Sequence, residues 1–185
     1  MTSSLLLSRR ACTSLLVGGL LAGPPALAAL KPGDRAPDFQ AEAALGGKAF
    51  RFSMAEALKK GPVVLYFYPK AFTSGCTVEA HAFAEATPRF EALGATVIGL
   101  SNDTLDTLKE FSVEACRNKF AVAADQDARI MKAYDAVLMM GMADRVTYVI
   151  SPQGVVLNSF ASLSPEQHVT TALKAVEEWR ARHKS

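Results

Sequence analysis

Cysteine is scarce in this chain of 185 residues, which carries three, Cys12, Cys76 and Cys116, alongside three histidines. They are spread along the chain with none of the short spacings that bind metal, which argues against a zinc-type centre. Charge of either sign is also missing in excess: 20 Lys and Arg stand against 18 Asp and Glu, for a net +2. A balance that close gives no electrostatic reason to seek nucleic acid or an anionic membrane. Long hydrophobic runs are absent as well. The apolar stretch from Leu15 to Leu21 is interrupted by Gly18 and Gly19 and followed by Gly23, Pro24 and Pro25, too short and broken to span a bilayer. Internal repeats, low-complexity tracts and coiled-coil heptads do not occur, which sets aside solenoids, linkers and long helical rods.

What is present begins with a leader. Residues 1–28 are basic at Arg9 and Arg10, then apolar, and end in the small-residue pattern Ala26-Leu27-Ala28. This is the layout of a cleavable export signal cut after Ala28, with the bacterial periplasm as the expected destination. The Arg9-Arg10 pair leaves a twin-arginine route open. Cleavage removes two arginines and no acid, leaving 18 basic and 18 acidic groups. Cys12 leaves too, so residues 29–185 carry only Cys76 and Cys116, in a length suited to one domain with a substantial core. An oxidising compartment permits a stapling disulfide between them. One reading is therefore an exported binding or structural domain, with Phe72, Met139, Met140 and Met142 as a contact surface.

The mature chain alternates strand and helix signals. Residues 29–37 form a polar lead-in, and residues 38–52 alternate weakly around Gly46-Gly47, as a hairpin or irregular edge. Ser53 caps a short helical turn with Glu56 as its box partner, and Gly61-Pro62 stops it. Residues 63–68 and 95–100 are continuous apolar runs, the composition of strands buried on both faces. A helix is expected over residues 74–90, with its period broken near Pro88. Another follows through Leu105, Leu108 and Phe111, capped by Asn102 or Asp103. Residues 120–124, 146–150 and 155–160 read as strands and 126–134 as a short helix. The last helix has Ser164 as cap, Pro165 first, Gln167 as box partner and Val169, Leu173, Val176 and Trp179 as its buried stripe. Together these predict an α/β domain, a central mixed β-sheet flanked by helices.

The chemistry concentrates where the first apolar strand ends, in Tyr66-Phe67-Tyr68-Pro69-Lys70-Ala71-Phe72-Thr73-Ser74-Gly75-Cys76-Thr77-Val78-Glu79. A thiol attacks as its thiolate, and a cysteine in the first turn of a helix faces unpaired N–H groups and the positive end of the dipole. Thr73 can place a hydroxyl beside the sulfur, and Pro69 turns the chain and shields the thiol. The expected pocket meets an oxygen–oxygen bond end on with sulfur.

The spacing proline, three residues, threonine, two residues, cysteine resembles the peroxiredoxin signature, met here by Pro69, Thr73 and Cys76. The longer string around it is similar to the bacterioferritin-comigratory, or PrxQ, branch. The likeness runs from Pro32-Gly33-Asp34 and Ala36-Pro37-Asp38-Phe39 through Arg145-Val146-Thr147-Tyr148-Val149-Ile150 to the closing helix. The resemblance implies a thioredoxin-like fold and reduction of hydrogen peroxide and organic hydroperoxides. Cys76 is then the peroxidatic cysteine, Thr73 its hydrogen-bonding partner, and Arg145 a residue that reaches the pocket. A fixed guanidinium there favours thiolate and stabilises charge on the departing oxygen. Glu79, on the same helix as Cys76, can orient Arg145.

Many members of that branch carry a resolving cysteine five residues after the first, where this chain has His81. No catalytic role falls to His81. Cys116 is the remaining candidate, and other members resolve from the corresponding helix; Arg117 and Lys119 beside it are expected to lower its pKa. The implied cycle runs from a Cys76 sulfenic acid to a Cys76–Cys116 disulfide, restored by a thioredoxin-like donor in a monomer without metal or organic cofactor. Three alternatives stay open: a one-cysteine cycle resolved by an outside thiol, a thiol-disulfide oxidoreductase, and the stapled binding domain.

Overall fold

The computed structural model describes residues 30–138 and 141–183. The export leader with Arg9, Arg10 and Cys12, and the contact residues Met139 and Met140, lie outside the described residues. The chain runs β1 (Gln40–Leu45), β2 (Lys48–Ser53), α1 (Met54–Leu58), β3 (Val63–Phe67), α2 (Ser74–Ala92), β4 (Thr96–Ser101) and α3 (Leu105–Glu114), then β5 (Ala121–Ala124), α4 (Arg129–Ala133), β6 (Val146–Ile150), β7 (Val156–Ala161) and α5 (Pro165–Arg182). Seven strands form one sheet in the order β2-β1-β5-β4-β3-β6-β7. Parallel pairs β3·β4 and β4·β5 sit at its centre, and the outer pairs are antiparallel. This is the expected mixed sheet in a thioredoxin-like α/β architecture.

The sheet buries both faces because β3 is apolar at every position. Val64, Tyr66 and Tyr68 point into one core with Phe83 and Phe90 of α2, Phe111 of α3 and Val169, Leu173 and Val176 of α5. Val63, Leu65 and Phe67 point into the other, with Met54, Met131, Tyr134 and Tyr148. In the first core the Tyr66 ring stacks on Phe83 at 4.4 Å between centroids and on Tyr68 at 5.4 Å. It lies against β4 so closely that only glycine fits at position 99, where a β-carbon would stand 2.8 Å from the ring. The β1–β2 hairpin turns through Gly46 and Gly47, both in the left-handed region at φ +56° and +76°, which L residues adopt at a cost. The lead-in is pinned to β7 by Gly33 N–H to Val156 O and Val156 N–H to Asp34 O, both 2.9 Å.

The helix expected over residues 74–90 is α2, which runs through Pro88 to Ala92, its last turn held by the fully buried Phe90. Packing of an apolar face outweighs the lost backbone bond. The cap of α3 is Thr104, whose hydroxyl accepts from Thr107 N–H at 3.3 Å, in place of Asn102 or Asp103. Ser164 holds the cap position of α5 without the predicted box, because its hydroxyl donates to Glu166 at 3.2 Å instead of accepting from the backbone. Ser53 does cap α1, accepting from Glu56 N–H at 3.4 Å.

Gly99→Ala forces a methyl into the Tyr66 ring. Overpacking of this kind costs about 1–3 kcal/mol, so urea unfolding should show that loss with an unchanged denaturant slope.

Candidate active site

Topology gathers the site at the carboxyl end of β3. The parallel register Phe67↔Leu100 and antiparallel register Phe67↔Val146 bring the loop after β3, the loop after β4 and the start of β6 to one edge. Open parallel sheets place their sites at this end because the helix N-termini and loops converge there. Tyr68 N–H still bonds Leu100 O at 3.1 Å, so the sheet continues one residue past the strand before Pro69 turns the chain.

Cys76 is the third residue of α2 and only 2% exposed. The first helical bond is Thr77 N–H to Thr73 O, 2.9 Å, so the amides of Ser74, Gly75 and Cys76 precede the hydrogen-bonded ladder and concentrate the helix dipole near the sulfur. Arg145 Nη2 donates to Cys76 Sγ at 3.3 Å, and Nη1 donates to Glu79 Oε2. The guanidinium reaches the sulfur over Gly75, where a β-carbon would come within 3.3 Å of Nη2. Glu79 is fully buried, and burial raises its carboxyl to about 7 despite the opposing pull of Arg145. Its second oxygen, Oε1, has no hydrogen-bond partner and lies 3.7 Å from Nδ1 of His168 on α5.

Thr73 is not placed as expected. Its hydroxyl donates to Lys70 O at 3.0 Å, closing the loop as a turn, and makes no hydrogen bond to the sulfur. Phe72 occupies the left-handed region at φ +63°, costly for an aromatic residue, and its half-exposed ring stands edge-on to Phe111 at 5.2 Å.

Two residues missed in the sequence hold the site. Asp103, buried after β4, accepts from Ala71 N–H at 2.7 Å and from Ser101 Oγ at 2.9 Å, with Lys70 Nζ 3.5 Å away, and so ties the Pro69 loop to the neighbouring strand. Its signal was an acidic residue directly after a buried strand, which also reads as a helix cap. His168 is fully buried beside the apolar stripe of α5, in phase with Ala172, Ala175 and Trp179.

Cys116 follows α3 and is fully buried in the same core as Cys76, both as free thiols. Burial pushes the Cys116 thiol far above the ordinary range, so the expected lowering by Arg117 and Lys119 does not occur. Arg117 and Asn118 adopt left-handed backbone at φ +51° and +58°, and Arg117 pairs with Glu85 at the surface, 3.2 Å. Among the described residues no group of three or more His, Cys, Asp or Glu is placed to hold a metal ion, and no helix is long and apolar enough to cross a membrane.

Sequence comparison matches the AhpC/TSA family over residues 32–159. A Helicobacter pylori protein named "Putative peroxiredoxin bcp" is 32% identical over 154 residues, spanning 80% of this chain and 98% of that one. Among solved structures, peroxidoxin BcpB from Mycobacterium tuberculosis superposes with a TM-score of 0.73 at 28% identity, covering 80% of this chain and 97% of its own. Xanthomonas campestris peroxiredoxin Q gives 0.66 at 27% identity over 75% and 90% of the two chains.

Burial and the raised Cys116 thiol predict strongly unequal labelling of the folded, reduced protein. Iodoacetamide at pH 8 should modify Cys76 well before Cys116, and both should react at similar rates in denaturant; prompt Cys116 labelling in the native state would contradict this geometry.

Proposed function

The chain belongs to the AhpC/TSA family, in its bacterioferritin-comigratory and peroxiredoxin Q branch, and from that premise we propose that its thiol-dependent peroxidase chemistry runs through Cys76. The observation that carries the reading is the buried Arg145 guanidinium donating to Cys76 Sγ at 3.3 Å while Glu79 fixes its other side. A cation held there favours the charged sulfur and stays in place as charge builds on the departing oxygen.

The cycle starts with the thiolate attacking the terminal oxygen of hydrogen peroxide or an organic hydroperoxide. A sulfur–oxygen bond forms, the oxygen–oxygen bond breaks, and the leaving oxygen takes up a proton to depart as water or alcohol. Sulfur is oxidised by two electrons and the peroxide reduced by two. Cys116 then attacks the sulfenic acid, water leaves, and the disulfide is returned to two thiols by a dithiol donor of thioredoxin type. Both cysteines are buried in one core, and in this reading the first turn of α2 opens to bring Cys76 to Cys116. The left-handed backbone of Phe72 favours opening at that turn.

A one-cysteine cycle with an outside resolving thiol is favoured by a separate observation: Cys116 is fully buried with its thiol raised. One equivalent of hydrogen peroxide followed by peptide mass spectrometry separates the two. A Cys76–Cys116 disulfide within one chain is expected, and Cys116→Ser should instead accumulate Cys76 sulfenic acid and lose turnover with a dithiol reductant. Undiminished turnover in that variant assigns resolution to an external thiol, and peroxide left unconsumed by two intact thiols removes the peroxidase reading.

The basic-then-apolar leader supports export to a periplasm. Expression in a Gram-negative host should yield a periplasmic protein whose amino terminus is Ala29; an intact Met1 in the cytosolic fraction would rule out cleavage.

A further inference from the structure

Behind the Arg145–Glu79 pair lies a histidine that no step above uses. His168 is fully buried; its Nε2 is 2.9 Å from the carbonyl of Ser162, and its Nδ1 is 2.9 Å from Thr147 Oγ1. A carbonyl can only accept, so Nε2 carries the hydrogen, and in the neutral ring Nδ1 is then a lone pair. The Thr147 hydroxyl can donate to that lone pair or, when Nδ1 carries a hydrogen, accept from it, and the unpartnered Glu79 Oε1 lies 3.7 Å from the same nitrogen. With Glu79 ionised, its free oxygen and an Nδ1 without hydrogen face each other as two acceptors in a fully buried site, which is costly for buried polar groups. A single proton between Oε1 and Nδ1 removes the conflict. On oxygen it makes a carboxylic acid aimed at the ring; on nitrogen it makes an imidazolium aimed at the carboxylate.

We propose that Glu79 and His168 share one exchangeable proton, and that His168 is thereby a positioning residue that sets how much of the Arg145 charge is presented to Cys76. With the proton in place the Glu79–His168 pair carries no net charge, so the net charge of the guanidinium is left to the sulfur although Nη1 still donates to Glu79 Oε2. Once the proton is lost, the Glu79 carboxylate competes for the same cation and adds a second negative charge beside the thiolate. Burial raises Glu79 to about 7 and lowers His168, chiefly by desolvation, so the switch falls near neutral pH. The other titratable or charged groups that act here are Asp144 and Arg145 just before β6, Cys76 of α2 and Tyr66 of β3. Phe160 of β7 packs edge-on to the imidazole at 4.9 Å and contributes no charge.

This inference rests on Cys76 as the attacking thiol, but its test uses no peroxide. Cys76 alkylation by iodoacetamide is followed from pH 5 to 9 in the reduced full chain, read at the Cys76 peptide, for the unaltered protein and for His168→Gln, which cannot take up the proton. The unaltered protein should show two inflections, one of them near neutral pH. His168→Gln should lose that inflection and change the ratio of rates at pH 6 and pH 8 by at least threefold. In parallel, nitrogen NMR of the histidine rings in the unaltered protein should show His168 responding over pH 6 to 8, with that response abolished by Glu79→Gln. An alkylation profile unchanged by His168→Gln, or a His168 ring flat across the range, overturns the proposal. Should His168→Gln not fold, the ring titration decides alone. Failure of this test leaves peroxide reduction by Cys76 standing, and loss of peroxide reduction leaves this readout intact.

Discussion

The guanidinium of Arg145, wedged between a sulfur and a carboxylate and only 8% exposed, is the contact on which the architecture of the site depends. A buried cation is expensive unless its donors are matched, and removing one partner of such a pair typically costs about 3–5 kcal/mol. Arg145, the residue just before β6, reaches across to α2, so these elements must dock in register before the charge is satisfied. Glu79 and Cys76 lie three residues apart on one helix face, the spacing that lets one planar fork engage both. Glycine at position 75 is the third condition, since it clears the path of the fork.

Much of the scaffold is readable from periodicity. Apolar runs marked β3, β4 and β6, and the stripe from Val169 to Trp179 marked α5, because these segments bury whole faces. Errors arose where a distant partner outbid a local preference. Asp103 looks like a cap because acidic residues favour such positions, yet its carboxylate is claimed by Ala71, 32 residues earlier in the chain. With Asp103 taken, Thr104 closes α3.

The site divides in the same way. Cys76, Glu79 and Arg145 were legible because local spacing and a known motif select them, and the structure brings all three together. Thr73 was assigned to the sulfur from its sequence distance, whereas the tight turn gives its hydroxyl a nearer acceptor in Lys70 O. The charges flanking Cys116 suggested an activated thiol, since adjacency in sequence implies adjacency in space. Left-handed backbone at Arg117 and Asn118 carries Arg117 outward and leaves the thiol inside. His168 could have been noticed as the polar interruption of an otherwise apolar helix face, but its meaning depends on β6 and α2, which local patterns do not reach.

The tether from Asp103 to Ala71 sets a limit on travel. Cys76 hangs between two moorings, Ala71 on one side and Glu79, clasped by Arg145, on the other. It is five residues from the first and three from the second. A fully extended chain spans roughly 3.3–3.6 Å per residue, so with both moorings intact the Cys76 α-carbon can swing no farther than about 10 Å from that of Glu79. The shorter leash, on the helical side, governs. A reaction partner inside that radius is reached by uncoiling one turn; one beyond it demands that the Arg145 clasp open and the charged centre come apart.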